Sequence, residues 1–152
     1  MPRTPAKRRT RAPGDRSRIL FEKVLGAEGE RVLRTVCRTS PDLARLLVEY
    51  PFGQIYPRRG LDLKTRELTA LAALAALGNA RAQVKLHVHG ALNVGCSRTQ
   101  ILEVLLMTTV FAGFPAALNA VDAAREAFEE RSALRRKGKG SCMQNRTNPA
   151  EA

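Results

Sequence analysis

The stretch RELTALAALAALGNARAQVKLHVHGALNVG, residues 66–95, decides the fold of this chain. Leu, Ala and Val recur through it at the spacing of a helix face rather than with the alternation of a strand. Gly78 interrupts the pattern and Gly95 ends it, which predicts two helices joined by a short turn. The same stretch contains Glu67 and both histidines of the chain, His87 and His89. These polar side chains on otherwise apolar helices are the first candidates for a functional site.

The same pattern extends in both directions and predicts helices throughout. Ser40 and Ser97 have the spacing of helix N-caps, the second as part of a capping box. Gly26 and Gly113 predict interruptions, and the Pro- and Gly-rich segment 50–62 predicts a loop. The predicted helices cover residues 17–26, 29–38, 41–49, 63–77, 80–94, 98–112 and 115–134. The predicted fold class is therefore all-α, a compact domain of about six to seven helices.

The net charge of +12 is concentrated at the two ends of the chain. Residues 1–18 carry a net charge of +6 and residues 131–152 carry +5, whereas residues 19–130 carry only +1. A nucleic-acid-binding domain normally places its basic stripe on a folded face. We therefore expect no nucleic-acid binding beyond weak, salt-dependent contacts made by the ends. Their composition predicts disordered basic tails at 1–16 and 135–152 around a helical domain at 17–134.

Cysteine usage and hydropathy predict a cytoplasmic protein. The three cysteines, Cys37, Cys96 and Cys142, are odd in number and widely spaced, which does not suggest a disulfide framework. The sequence contains no run of 18 uninterrupted apolar residues, so it predicts no membrane span. The basic start is not followed by the apolar segment of a secretory signal. The Arg-rich, acid-poor start leaves an organelle transit peptide as the alternative.

Glu67 and His87 are the candidate catalytic residues. On a helix Glu67 shares its face with Leu71 and Leu74, and His87 shares its face with Val84 and other small or apolar residues. A carboxylate removed from water is costly unless it is paired or protonated, and a histidine is a natural partner because it exchanges protons near neutral pH. Two alternatives stay open: His87 as a satisfied core histidine, and Glu67 paired with a nearby Arg or Lys.

His89 lies two positions beyond His87, about 200° around the helix. The two histidines therefore cannot share one site within a subunit, and no metal site is predicted. The loop aromatics, Tyr56 among them, predict either a pocket lining or an anchor to the core. No cofactor is expected.

The sequence resembles the carboxymuconolactone decarboxylase family over residues 19–130. The likeness is carried by Phe52-Gly53, Arg58, Gly60-Leu61, Arg66-Glu67-Leu68, His87, Gly90-Ala91-Leu92, Gly95, Ile101, Glu103-Val104 and the closing FAGFPAALNA, residues 111–120. The resemblance implies an all-α fold and a ring-shaped homo-oligomer, usually a hexamer arranged as a trimer of dimers. The broader superfamily includes alkylhydroperoxidase-like proteins.

Two departures from the family limit what can be carried over. The peroxidase branch has a Cys-x-x-Cys pair four residues before the histidine, and the corresponding positions here hold Ala80 and Gln83. In the decarboxylase proper, the positions of Glu67, Gln83 and Leu118 more often hold Ser, an acidic residue and Asn. Arg58, Arg66 and His87 fit the family pattern.

The resemblance implies a cofactor-independent decarboxylase, or an enzyme of related acid–base chemistry, acting on a small carboxylated lactone in aromatic-compound degradation. His87 would supply a proton, Glu67 would orient it, and Arg58, Arg66, Tyr56 and Gln83 would bind the substrate. Arg66 could instead pair with a carboxylate of the fold. The alternatives are a peroxiredoxin-like antioxidant protein using Cys96, which precedes a predicted helix start, and a non-catalytic oligomeric family member.

Overall fold

The computed structural model describes residues 14–144, and this part of the chain is helical and contains no strand. Its elements are α1 (Asp15–Thr39), α2 (Pro41–Tyr50), a π-helical turn (Pro51–Ile55), α3 (Leu63–Ala76), α4 (Arg81–Asn93) and α5 (Arg98–Gln144). The all-α prediction is confirmed for the described residues. Most of the predicted tails, residues 1–13 and 145–152, lie outside them, so the disorder of the tails stays a prediction.

Glycines break the two longest helices at the predicted places. Gly26 has a φ of 55° inside α1, and Gly113 has a φ of 81° inside α5. Both values lie in the left-handed region that an L side chain rarely adopts, so the helical hydrogen-bond pattern is interrupted there. The seven predicted helices thus correspond to five α-helices, two of which are broken at a glycine. Helix α5 extends to Gln144, ten residues beyond the predicted end, since no proline follows Leu134 before that point.

The two predicted serine caps are confirmed. The backbone N–H of Leu43 donates to Oγ of Ser40 over 3.3 Å at the start of α2. At the start of α5 the backbone N–H of Gln100 donates to Oγ of Ser97 over 3.1 Å, and the backbone N–H of Ser97 donates to Oε1 of Gln100 over 2.9 Å. These reciprocal bonds form a capping box, which satisfies amide donors that the first helical turn leaves without partners.

The prediction of a loop over the whole of segment 50–62 is wrong for its first part. Pro51 continues directly from α2 with helical backbone angles, because proline has a φ compatible with a helix and lacks only the N–H. The backbone N–H of Tyr56 donates to the carbonyl of Pro51 over 2.8 Å, the five-residue spacing of a π-helix. Proline and glycine therefore did not mark a loop in this segment, because both residues fit into the single turn of the π-helix.

The described helices form two compact units, which divide between residues 63 and 64. In the first unit, α1 packs against α2 and the π-helical turn around an apolar core. Phe52 is buried there and makes an edge contact with Phe21, with ring centroids 5.2 Å apart. The Tyr56 ring lies 4.7 Å from that of Phe52. This aromatic contact anchors the turn, as one of the two predictions for the loop aromatics proposed.

In the second unit, α3, α4 and α5 share one core. Its buried members come from the three helices and from Cys96 in the turn before α5, and they are mainly aliphatic or alanine: Leu71, Ala75, Val84, Val88, Ala91, Cys96, Ile101, Leu105, Ala120, Ala123, Ala124 and Ala127. The alanines of α5 have short side chains, which permits close approach of the neighbouring helices. This core positions the buried face of α3, which carries Glu67, near α4.

Helix α5 folds back on itself at Gly113. Nη2 of Arg98 donates to Oγ of Ser132 over 2.8 Å, although a straight helix would separate these residues by about 50 Å. Within the described residues, the stretch Arg98–Arg136 is long and apolar enough, by length and composition alone, to cross a membrane. Core helices of water-soluble proteins pass the same test, and the break at Gly113 makes this stretch two shorter arms.

Candidate functional site

Glu67 occupies the inner face of α3. It lies one helical turn before Leu71 and two turns before Ala75, and all three side chains are buried. Glu67 is 0% exposed, so its carboxylate is placed in a low-dielectric environment by the same periodicity that buries its apolar neighbours. A carboxylate in such a position requires hydrogen-bond partners.

His87 on α4 meets this carboxylate. Its Nδ1 lies 2.9 Å from Oε2 of Glu67, and the side chain of His87 is 20% exposed. The two residues are 20 positions apart in the chain and come together because α3 and α4 share the core of the second unit. The predicted pairing of the candidate catalytic residues is therefore present in the structure, whereas their catalytic role stays a prediction.

The hydrogen bond fixes how the imidazole can act. An ionised carboxylate only accepts hydrogen bonds, so when Glu67 is ionised, Nδ1 of His87 carries the hydrogen and donates it to Glu67. The second ring nitrogen, Nε2, is then a lone-pair acceptor in the neutral imidazole and a proton donor in the imidazolium. A buried carboxylate behind a partly exposed histidine is an arrangement for general acid–base chemistry.

Two predicted substrate-binding residues lie close to this pair in the sequence. Arg66 precedes Glu67 on α3, is half-buried, and has a buried Nε atom. Gln83 lies one helical turn before His87 on α4 and is exposed. Their sequence positions place both on the two helices that carry the pair.

The other two predicted binding residues belong to the first unit. Tyr56 is half-buried and packs against Phe52, and Arg58 has an exposed side chain. The backbone N–H of Arg58 donates to the carbonyl of Ile55 over 3.2 Å, which fixes the backbone just after the π-helical turn. Substrate binding by these two residues stays a prediction.

Cys96 lies in the core of the second unit. It is buried, and its Sγ donates to the carbonyl oxygen of Lys64 over 3.8 Å. A reactive cysteine is usually accessible and in an electropositive setting that favours the thiolate, whereas a buried thiol beside a carbonyl oxygen is held in its neutral form. Of the two cysteines whose side chains are described, Cys37 in α1 is the exposed one. The geometry therefore favours a packing role for Cys96.

Opposite charges link α4 to α5 in a ladder that the sequence pattern did not reveal. Its α4 members, Arg81, Lys85 and His89, lie four residues apart and alternate with Asp122, Glu126 and Glu130 of α5. The successive contacts are Arg81–Asp122 at 2.7 Å, Arg81–Glu126 at 2.6 Å, Lys85–Glu126 at 3.3 Å, Lys85–Glu130 at 2.6 Å and His89–Glu130 at 3.0 Å.

The ladder explains the position of His89. Its side chain is buried and Nε2 faces Oε2 of Glu130, on the side of α4 away from His87, as the 200° separation predicted. The hydrogen bond from Lys85 is the largest cause that lowers the pKa of Glu130 below its usual value, and the contact with His89 adds to it. The same bond raises the pKa of Lys85. Matching four-residue spacings of opposite charge on two helices were the available signal.

Comparisons with known proteins agree on one family. Residues 41–126 match the model of the carboxymuconolactone decarboxylase family. The chain is 28% identical to the 4-carboxymuconolactone decarboxylase of Acinetobacter baylyi over 76% of this chain and 82% of that protein. It is 32% identical to the nitrosuccinic acid decarboxylase npaB of Metarhizium robertsii, over 64% and 68% of the two chains. A 15.0 kDa protein of Paracoccus denitrificans is 30% identical over 64% and 74%.

Proposed function

Because this chain belongs to the carboxymuconolactone decarboxylase family, we propose that it is a carboxy-lyase that works without a cofactor. The observation that carries the proposal is the buried Glu67 carboxylate bonded to the partly exposed imidazole of His87. Only the histidine of this pair is accessible to a small molecule. The substrate therefore meets His87, and Glu67 acts through it.

The proposed reaction is the loss of CO2 from a small acid whose neighbouring group accepts electrons. In a carboxylated lactone, the bond between the ring and the carboxylate carbon breaks, and its electron pair enters a dienolate that extends to the ring carbonyl. The imidazolium of His87 then donates its Nε2 proton to the ring carbon, and water returns a proton to the imidazole. General acid catalysis of this kind typically accelerates a reaction by about 10²- to 10⁴-fold.

Glu67 has two tasks in this mechanism. Its carboxylate holds Nδ1 of His87 as a donor, which leaves Nε2 for the substrate. Its negative charge also stabilises the imidazolium that must be present before proton transfer. Arg66 lies next to Glu67 in the sequence, and we assign it the binding of a substrate carboxylate. A planar guanidinium group matches the shape of a carboxylate. Arg58, Tyr56 and Gln83 keep the substrate-binding role that the family resemblance implies.

The substrate class follows from the relatives' names and the shared chemistry. One relative is named for a carboxymuconolactone and another for nitrosuccinic acid. A lactone carbonyl and a nitro group can both take up the electron pair that CO2 leaves behind. We therefore propose carboxylated butenolides as first candidates and nitro-substituted acids as the second class.

The test measures CO2 release by the full chain from a panel of carboxylated butenolides and nitro-substituted diacids. We expect turnover of at least one member, with loss of activity in His87→Ala. The matched control is His89→Ala, which removes the other histidine of the same helix. No turnover of any member, or equal turnover in wild type and His87→Ala, would contradict the proposed function.

We also propose that the protein is a homo-oligomer, with a hexamer built as a trimer of dimers as the specific state. Large apolar side chains are exposed on both arms of α5: Leu106, Met107, Val110, Phe111, Phe114 and Leu118. Phe111 is 81% exposed. Large exposed apolar surfaces are typical of an interface between subunits. Light scattering should give a multiple of the 16.7 kDa chain mass, and Phe111→Glu should lower it. A wild-type monomer at micromolar concentration would contradict this proposal.

A further inference from the structure

A pocket lies in the second unit, on the side of α4 that carries His89. It has a volume of about 510 Å3 and is lined by Leu92, Cys96, Ser97, Arg98, Arg131 and Arg135. Leu92 lies three residues after His89, so the pocket is on the α4 face opposite His87. It is therefore separate from the Glu67–His87 pair.

Three guanidinium groups line this pocket, and its described lining residues include no carboxylate. Arg98 donates to the hydroxyl of Ser132 and, over 3.2 Å, to the carbonyl of Phe128. Arg131 donates to Oδ1 of Asn93 over 2.7 Å. These partners are neutral, so they orient the guanidinium groups without cancelling their charge. Arg135 is exposed, and within residues 14–144 none of the three forms an ion pair.

A nearby arginine of α5 provides the contrast. Arg125 bonds to Asp122 over 2.8 Å and to Glu129 over 2.9 Å, so its charge is balanced, and these contacts raise its pKa. Like charges that are gathered without counter-charges repel one another, and an anion bound between them removes that repulsion. Arg125 therefore differs from the three pocket arginines, because two carboxylates balance its charge.

We propose that this pocket binds a small organic anion. Its carboxylate or phosphate group lies among Arg98, Arg131 and Arg135, whose planar guanidinium groups suit bidentate contacts to either head group. Its apolar body lies on Leu92 and Cys96, the apolar part of the lining. The pocket is a binding site distinct from the proposed decarboxylation site and does not depend on that activity.

The test is calorimetric titration of the full chain with probes that separate charge from shape. Phenyl phosphate and benzoate carry the two head groups on one apolar body, benzamide is the neutral analogue of benzoate, and inorganic phosphate lacks the body. We expect both organic anions to bind, and whichever binds more tightly identifies the head group. Benzamide should bind at least about tenfold more weakly, since a hydrogen bond to a charged group contributes about 1.5–3 kcal/mol. Inorganic phosphate should bind more weakly than phenyl phosphate.

Three variants locate the site. Arg135→Gln should weaken binding by about tenfold without affecting the fold, because its side chain makes no bond to a described residue. Arg125→Gln removes the same charge from the same helix, but a balanced one, and should change affinity less than twofold. His87→Ala should leave binding unchanged.

Several results would overturn the proposal. These are the absence of binding by both anions, equal binding of benzoate and benzamide, and equal binding of inorganic and phenyl phosphate. Equal losses in Arg135→Gln and Arg125→Gln would show a general charge effect instead. Loss in His87→Ala with retention in Arg135→Gln would place the anion on the other face of α4.

Discussion

Helix α4 carries two histidines, and each is hydrogen-bonded to a glutamate of a neighbouring helix. The two histidine–glutamate pairs differ in which partner is buried. In the first pair the carboxylate of Glu67 is 0% exposed and the side chain of His87 is 20% exposed. In the second pair the side chain of His89 is 5% exposed and that of Glu130 is 45% exposed. The donor–acceptor distances are nearly equal, at 2.9 and 3.0 Å.

Under the proposed function, this difference in burial separates a pair that takes part in chemistry from a pair that stabilises the fold. A buried carboxylate orients and charges the accessible histidine in front of it, so that the histidine can exchange a proton with a ligand. A buried histidine behind an exposed carboxylate has no such access. Its carboxylate also bonds to Lys85, which makes the second pair the end of the ladder between α4 and α5. The same two residue types therefore differ in proposed function because of burial alone.

The sharpest challenge to this comparison is His87→Ala. We expect turnover to fall by about 10²- to 10⁴-fold with little change in KM, because the variant removes the proton donor and leaves the substrate-holding residues in place. Steady-state CO2 release measures both parameters. A variant whose KM rises while its kcat is unchanged would assign His87 to binding instead.

Glu67→Gln tests the buried partner and should have a smaller effect. The amide keeps the shape of the side chain and removes the charge that stabilises the imidazolium, so we expect a loss of about tenfold to a hundredfold in kcat. The pH dependence of kcat should change as well, which a merely structural role for Glu67 would not produce. Glu67→Asp, which restores the charge, should recover part of the activity. An unchanged pH profile in Glu67→Gln would contradict the positioning role.

His89→Ala should show the opposite pattern. Removing a buried hydrogen-bonded side chain commonly lowers the free energy of unfolding by about 1–3 kcal/mol. The kcat per folded molecule should stay within twofold of wild type, because His89 lies on the other side of α4. Urea unfolding and CO2 release on the same sample separate the two effects. A large fall in kcat with unchanged stability would exchange the roles of the two pairs.

Local signals in the sequence predicted much of this molecule. Helix caps at Ser40 and Ser97 and the breaks at Gly26 and Gly113 depend on residues within a few positions of each other, so the sequence contains the cause. The meeting of Glu67 with His87 followed from two apolar faces that had to pack together. Each of these features has either a local cause in the sequence or a cause in the need to bury an apolar helix face.

Features that depend on the register between helices were not predicted. The contact of His89 with Glu130 requires α4 and α5 to align across 41 residues of chain, and periodicity within one helix does not determine that alignment. The π-helical turn was missed because Pro51 is compatible with both a loop and a helix start. The arginine pocket likewise combines the beginning of α5 with its second arm, which meet only because the chain folds back at Gly113.

The ladder should also make the free energy of unfolding depend on pH in the acid range. The pKa of Glu130 is lowered from its ordinary value of 4.5, so its stabilising contribution is present above that pH and is lost as the pH falls through the lowered pKa. Lys85 has a raised pKa, so its contribution is present below its ordinary value of 10.5 and is lost only as the pH rises through the raised pKa. Solvent screening limits the Glu130 contribution to less than about 1 kcal/mol.

Glu130→Gln is the variant that measures this contribution. Between pH 6 and pH 3 the free energy of unfolding should fall less steeply in the variant than in wild type, because one depressed carboxyl group no longer takes up a proton on acidification. Urea unfolding at several pH values gives both slopes, and Glu22→Gln in α1, a carboxylate outside the ladder, is the matched control. Identical slopes in wild type and Glu130→Gln would show that the second pair contributes nothing to acid stability.

Cys96→Ser should leave the proposed decarboxylation intact, and it decides between the two enzyme classes. The decarboxylation mechanism uses no thiol, so kcat for CO2 release should stay within twofold of wild type. A buried hydroxyl can still donate to the carbonyl of Lys64, and the loss of stability should be about 1 kcal/mol. Peroxide consumption is assayed on the same samples, with the exposed Cys37→Ser as the control for adventitious thiol oxidation. Peroxide turnover that disappears in Cys96→Ser and persists in Cys37→Ser would place the protein in the redox class and remove the proposed role of the Glu67–His87 pair.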